Sequence, residues 1–197
     1  MISIFDYGAG NLRSVQNTLA EIGAPYQLID DADGIRQSTK LILPGVGHFG
    51  QMLRAIDAMR VRQALLDRIR SGVPFLGICL GLQALFSGSE EAPEVKGLGL
   101  YPETIHRFKG AARVPHMGWN EIEPNPGASL LGNLGARPHL YFAHSYYAPV
   151  CDATVATCTY TIPYTAVLEQ GNVFGVQFHP EKSGPLGLRI VKNFVDL

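Results

Sequence analysis

The stretch Pro74-Phe75-Leu76-Gly77-Ile78-Cys79-Leu80-Gly81-Leu82-Gln83 runs from an apolar segment through Gly-x-Cys-x-Gly into a helical pattern. That passage dictates a strand that turns sharply into a helix and lifts one side chain out of a sheet. The two glycines let the backbone crowd into a tight, strained turn where a Cβ would clash. The following helix is expected to aim its N-terminal dipole and unpaired amides at the sulfur, which favours thiolate over thiol. Cys79 is thereby set apart from Cys151 and Cys158, which read as core residues.

The first half of the chain supplies the rest of such a sheet. Ile2 to Asp6 reads as a buried strand, followed by a tight loop at Gly8 and Gly10. Leu12, Val15, Leu19 and Ile22 then recur at helical spacing, and Gly23 ends the helix. Tyr26 to Ile29 and Leu41 to Leu43 are further strands, the second running into Pro44-Gly45-Val46-Gly47. A long helix is expected over about Gln51 to Arg70, and Phe75 to Ile78 feeds the turn at Cys79. This alternation predicts an α/β fold, an open and mostly parallel sheet with helices on both faces. Active sites in such sheets sit at the carboxyl ends of the strands, where Asp6, Gly45 and Cys79 fall.

The second half changes character. Thr104 to Phe108, Gly118 to Ile122, Leu140 to Tyr146, Thr154 to Tyr160, Ala166 to Leu168 and Val173 to Phe178 read as strands with short turns, several of them antiparallel. Leu188 to Val195 reads as a closing helix with Ser183 as a cap, and Glu123 to Gly127 reads as a turn. The whole chain, 1–197, is expected to be one domain.

A base for Cys79 is offered by Val176-Gln177-Phe178-His179-Pro180-Glu181. In extended backbone, His179 and Glu181 would share a face with Cα atoms roughly 6.5–7 Å apart. Pro180 would hold the chain extended. Glu181 could then orient one imidazole nitrogen and leave the other to Cys79, giving a nucleophile, a base and a group that orients the base. An acyl-enzyme also needs oxyanion donors. The amide of Leu80 follows the nucleophile directly, and Val46 or Gly47 could supply a second from the neighbouring strand end, each worth ~2.7–4 kcal/mol. His48, His106, His116 and His139 lack such support and read as surface or loop residues.

Composition narrows the class. Net charge is −1, so there is no electrostatic case for nucleic acid or an anionic membrane. No apolar run approaches the ~20 residues that span a bilayer, and the first residues lack the basic lead of a signal peptide. Three cysteines, one of them reactive, suit a reducing cytoplasm. No Cys or His pair has metal-ligand spacing, so no metal is expected, and no cofactor motif is present. Charged residues are only 17% of the chain, which fits a compact enzyme with part of its surface covered by a partner.

Gly77 to Gln83 together with Gly175 to Glu181 resembles the class I, triad-type glutamine amidotransferases. The likeness extends to Asp6-Tyr7-Gly8-Ala9-Gly10-Asn11, Pro44 to Phe49, Pro115-His116-Met117-Gly118-Trp119-Asn120 and Tyr141 to Tyr147. Those segments resemble the branch that serves histidine biosynthesis, the glutaminase subunits of imidazole glycerol phosphate synthases. The resemblance implies that Cys79 attacks the carboxamide of glutamine, that a glutamyl thioester forms, and that water then releases glutamate. It implies that Gly45, Gln83 and Glu91 help hold the substrate, with His144, Ser145 and Tyr146 at its amino-acid end. On their own, Glu90 and Glu91 could equally be a solvated helix-end pair.

Ammonia loses its nucleophilicity when protonated in water, so direct delivery to an acceptor site is favoured. No second domain is read in the chain, and the resemblance implies a heterodimer with a (β/α)₈-barrel cyclase. Met117, Trp119, Asn120, Lys182 and the Asn11 loop are expected to face it. Val46, between two glycines, can reorient cheaply, so partner binding could align its amide with the oxyanion. The alternatives are another amidotransferase's glutaminase, and a γ-glutamyl hydrolase or cysteine peptidase on the same scaffold.

Overall fold

The computed structural model describes residues 1–8, 11–110 and 113–197, so the expected loop residue Gly10 lies outside the described residues. The first half contains β1 (Ile2–Phe5), α1 (Leu12–Glu21), β2 (Tyr26–Ile29), α2 (Ala32–Gln37), β3 (Leu41–Gly45), α3 (Phe49–Ala58), α4 (Arg62–Arg70), β4 (Phe75–Cys79) and α5 (Leu80–Gln83). The second half contains β5 (Phe86–Ser89), β6 (Tyr101–Arg107), β7 (His116–Glu121), β8 (Glu123–Pro124), β9 (His139–His144), β10 (Tyr146–Tyr147), β11 (Thr154–Thr159), β12 (Pro163–Gln170), β13 (Val173–Val176) and α6 (Gly184–Asp196).

The main sheet has the order β2-β1-β3-β4-β13-β12-β11-β8. Its first five strands are parallel, and β12, β11 and β8 extend it antiparallel. Period-two alternation sorts the parallel strands into two cores. In β4, Leu76 and Ile78 join a core with Val15 and Leu19 of α1 and Ile190 and Phe194 of α6. Phe75 joins the opposite core with Ile35 of α2, Leu53 of α3 and Leu65 of α4. Helices therefore cover both faces, as the alternation of elements predicts. Two small sheets flank the main one, β10-β6-β5 and β7-β9.

Several boundaries differ from expectation. The single helix from Gln51 to Arg70 is two helices. Arg60 adopts φ +57° after α3, its amide donates to the Asp57 carbonyl, and Val61 turns into the core. The Arg62 side chain then donates to the Gly97 carbonyl at 2.6 Å, which holds the start of α4 in its new direction. Glu123 and Pro124 are an edge strand paired with β11 rather than a turn. Proline is tolerated there because an edge leaves its missing amide unneeded. The expected strand Leu140 to Tyr146 breaks at Ser145, with β9 pairing β7 and β10 pairing β6.

Two single residues also depart from expectation. Ser183 stands before α6 but does not cap it with its side chain. Its hydroxyl donates to the His179 carbonyl at 2.7 Å and accepts the Tyr141 amide at 3.0 Å, tying the turn after β13 to β9. His116 is buried, not a surface or loop residue.

Candidate active site

The carboxyl ends of β3, β4 and β13 converge on one cavity of about 230 Å³. Pockets for drug-sized ligands run ~300–1,000 Å³, so this one suits a small molecule. Cys79 stands at its floor with φ +54°, ψ −105°, and is the strained residue of the turn. The flanking glycines serve close approach. A Cβ on Gly77 would meet the Gly81 carbonyl oxygen at 2.5 Å, and one on Gly81 would fall on the Leu43 carbonyl. The helix that follows has only four residues. The expected dipole of a full helix is therefore absent, and what remains is one turn of backbone amides beside the sulfur.

His179 lies 3% exposed across the cavity. Its Nδ1 is 2.8 Å from Glu181 Oε1, and both side chains are almost wholly buried. The expected pairing forms, but not through extended backbone. Pro180–Lys182 is a 3₁₀ turn with proline in its first position, where a missing amide costs nothing, and the turn brings the carboxylate back under the ring. Burial works against charge on His179. The Cys79 sulfur and the Glu181 carboxylate outweigh it and push the pKa up to about 10. A charged imidazolium therefore faces the sulfur at neutral pH.

Val46, Gly47 and Leu80 line the cavity beside Cys79, and Gln83, Glu91, His144, Ser145 and Tyr146 complete much of its wall. Gly45 does not line it. It lies beneath the turn, where a Cβ would meet the Gly81 amide nitrogen at 2.6 Å. Gln83 donates from Nε2 to the Tyr146 carbonyl at 2.8 Å and to Gln177 Oε1 at 3.0 Å, so only its oxygen remains for a ligand. Glu91 accepts the Phe49 amide at 2.7 Å, the first of α3, and is no solvated helix-end group. Glu90 accepts the Arg107 amide and the Lys109 ammonium, which lower its pKa to about 2.

One supporting residue, Gln177, went unassigned, and another, Asn11, was expected at the partner face but reaches the site instead. Gln177 donates to the Cys79 sulfur at 3.6 Å and sits two residues before His179. Strand alternation alone could have flagged it. Asn11 donates to Glu181 Oε1 at 3.2 Å across 170 residues of chain, a contact with no local signal.

On the outer face of β7, Met117 and Trp119 are 65% and 57% exposed. Trp119 packs edge-on to Tyr141, and the Lys182 ammonium lies 5.9 Å over the same tyrosine. Asn120 points the other way, donating to the Thr159 carbonyl at 3.2 Å and to His116.

A charged histidine braced by a carboxylate, facing a cysteine on a strand-to-helix turn, defines a thiol acyl-transfer site. The class I glutamine amidotransferase family model matches residues 3–197, and the chain belongs to that family. It is 43% identical to the imidazole glycerol phosphate synthase subunit HisH of Deinococcus radiodurans, over 98% of this chain and 92% of that one. It is 45% identical to the HisH subunit of Methanothermobacter thermautotrophicus, over 100% and 98%. It also matches the chloroplastic imidazole glycerol phosphate synthase hisHF of Arabidopsis thaliana at 41% identity, over 99% of this chain but 34% of that one. Among solved structures, PurLQS from Thermotoga maritima shares the fold at TM-score 0.76 and 19% identity, covering 99% of this chain and 97% of that one. Among the described residues no helix is long and apolar enough to cross a membrane.

Proposed function

We propose that the chain hydrolyses glutamine through a Cys79 glutamyl thioester and passes the ammonia to a partner cyclase. Glutamine amidotransferase activity and a place in histidine biosynthesis follow from its kinship with HisH subunits along nearly their whole length. The observation that carries the residue-level reading is the Glu181–His179 contact at 2.8 Å with the ring turned to Cys79.

In this reading Cys79 Sγ, with the charged His179 beside it, attacks the carboxamide carbon. The oxyanion is met by the Leu80 amide and one from Val46 or Gly47. His179 gives its proton to the departing nitrogen, and ammonia leaves. Water then attacks the thioester, with His179 as base. Glutamate departs, and the sulfur and imidazolium are restored. Glu91 and the His144–Tyr146 corner hold the amino-acid end. The Gln83 contribution reduces to its carbonyl oxygen.

The acceptor site lies on a (β/α)₈-barrel cyclase, which uses ammonia and a phosphorylated ribonucleotide to make imidazole glycerol phosphate and an aminoimidazole carboxamide ribotide. The match to only 34% of the Arabidopsis hisHF chain supports a second protein body in the working unit. Met117, Trp119, Tyr141 and Lys182 form the docking face, with Trp119 as its aromatic anchor.

The test is ammonia release from glutamine with and without the cyclase, comparing the native chain with Cys79→Ala. The native pair should release ammonia and the variant should not. Equal release by the variant, or a preference for γ-glutamyl peptides over free glutamine, overturns the reading. Trp119→Ala should weaken cyclase binding at least tenfold, as truncation of an anchor does. Unchanged affinity and unchanged stimulation would remove the docking face.

A further inference from the structure

His116 and His144 face each other across the β7–β9 pair and are both buried. His116 takes no part in the chemistry above, and His144 enters it only at the amino-acid end of the substrate. The protons between them can be assigned from their fixed ends. His144 Nδ1 lies 2.8 Å from the Tyr146 carbonyl, which only accepts, so Nδ1 carries the hydrogen. Burial holds this ring neutral, so its Nε2 is bare. His116 Nδ1 lies 3.1 Å from that bare nitrogen and must donate to it. Burial keeps His116 neutral as well, so its Nε2 accepts from the Asn120 amide at 3.4 Å. The Asn120 amide cannot be turned round, because its oxygen accepts the Glu121 amide at 2.9 Å.

The result is a one-way relay. Asn120 donates to His116, His116 to His144, and His144 to the Tyr146 carbonyl. The Tyr164 hydroxyl sits beside the central bond, 3.2 and 3.3 Å from its two nitrogens. Water is kept out by stacking: the His116 ring lies between Tyr160 and Phe142, with centroids 4.0 and 5.0 Å away. At the pocket end the Tyr146 carbonyl also accepts from Gln83, whose nitrogen reaches Gln177, which in turn donates to the Cys79 sulfur. Both lone pairs of that carbonyl are used. At the other end, β7 alternates. His116 and Asn120 point inward, and Met117 and Trp119 point out to solvent.

We propose that His116 and Asn120 are positioning residues: through His144 they tie the placement of strand β7, whose outer face docks the partner, to the Ser145–Tyr146 wall of the glutamine pocket. The proposal rests on the reading of that pocket as a glutamine site. Asn120→Asp is the decisive variant. It sets an acceptor against the bare Nε2 of His116, pulls the proton there, and leaves two bare nitrogens facing each other across the relay.

Two readouts apply. Imidazole nitrogen NMR of the native chain should show both rings neutral with the hydrogen on Nδ1. In Asn120→Asp the His116 hydrogen should move to Nε2. In the complex with the cyclase, the glutamine KM of that variant should rise about tenfold with kcat nearly unchanged, the size of one lost buried hydrogen bond. His116→Phe should raise KM similarly. His116→Asn, which keeps a donor toward His144, should restore it. A native ring that is charged or protonated on Nε2, or a variant whose proton moves without a change in KM, overturns the proposal. Failure of the glutamine reading is seen separately, as a native complex that releases no ammonia. The tautomers still decide the relay in that case.

Discussion

Gly77→Ala tests whether the turn at Cys79 is held by backbone contact. Gly77 has ordinary strand backbone, so alanine adds no conformational strain there. Its Cβ would meet the Gly81 carbonyl oxygen at 2.5 Å and the Leu82 amide nitrogen at 2.7 Å, where ordinary contact begins at 3.4 Å. The short helix α5 must then move away from β4 by about 0.9 Å. Both partners are backbone, so no rotamer can relieve the clash. Overpacking of this kind costs about 2 kcal/mol. For a chain of this size that lowers Tm by about 4–8 °C. A shift near 1 Å also moves the sulfur and the Leu80 amide together, and such misplacement costs about a hundredfold in kcat/KM. Thermal unfolding reads the first effect. Ammonia release in the complex, or covalent capture of Cys79 by a glutamine-shaped electrophile, reads the second. Gly88→Ala is the control, because nothing lies nearer than 3.8 Å to its added Cβ. A Gly77→Ala chain with native Tm and native capture rate would refute the reasoning.

Two pH predictions follow from the histidines. His179, raised to about 10, should stay charged in NMR titration from pH 6 to about 9, and Cys79→Ala should lower its midpoint because one of the groups that raise it is gone. Titration of the native ring near 6.5 would contradict the site electrostatics. His116 and His144 are lowered by burial to about 4 and about 3, against about 6.5 in the unfolded chain. The stability they contribute is complete above pH 6.5 and is lost as pH falls toward their folded values. Together they give a slope of about 2.7 kcal/mol per pH unit near pH 5. Urea unfolding at pH 7 and pH 5 measures it, and His116→Phe should halve the slope. A flat profile would mean that the rings charge freely in the folded chain.

The sequence carried the parallel half of the fold well, because Ile2 to Phe5, Leu41 to Leu43 and Phe75 to Ile78 are short, mainly apolar runs, the last two set against a proline. It carried the site's nucleophile and base for the same reason, since both sit at strand ends marked by local motifs. What stayed hidden was set by tertiary contact. The break at Arg60 uses a left-handed arginine where glycine would have signalled it. Helix α2 is six residues long with one buried side chain, Ile35, too few for a periodic pattern. The turn at Pro180 reached the right contact by a different backbone route, since proline serves a 3₁₀ start as well as an extended chain. Asn11 on Glu181 and His116 on His144 depend on residues far apart in the chain, and no window of sequence contains either pair.

Strand β13 enters the sheet between β4 and β12, so the middle of the molecule is filled by one of its latest-made pieces. During synthesis the growing chain holds its thiol for some hundred residues before the imidazole exists, roughly 5–20 s at ordinary ribosomal speed. Through that interval the sulfur has no neighbour to activate it, and half-made chains cannot squander glutamine. Catalytic competence and the closing of the sheet are one event.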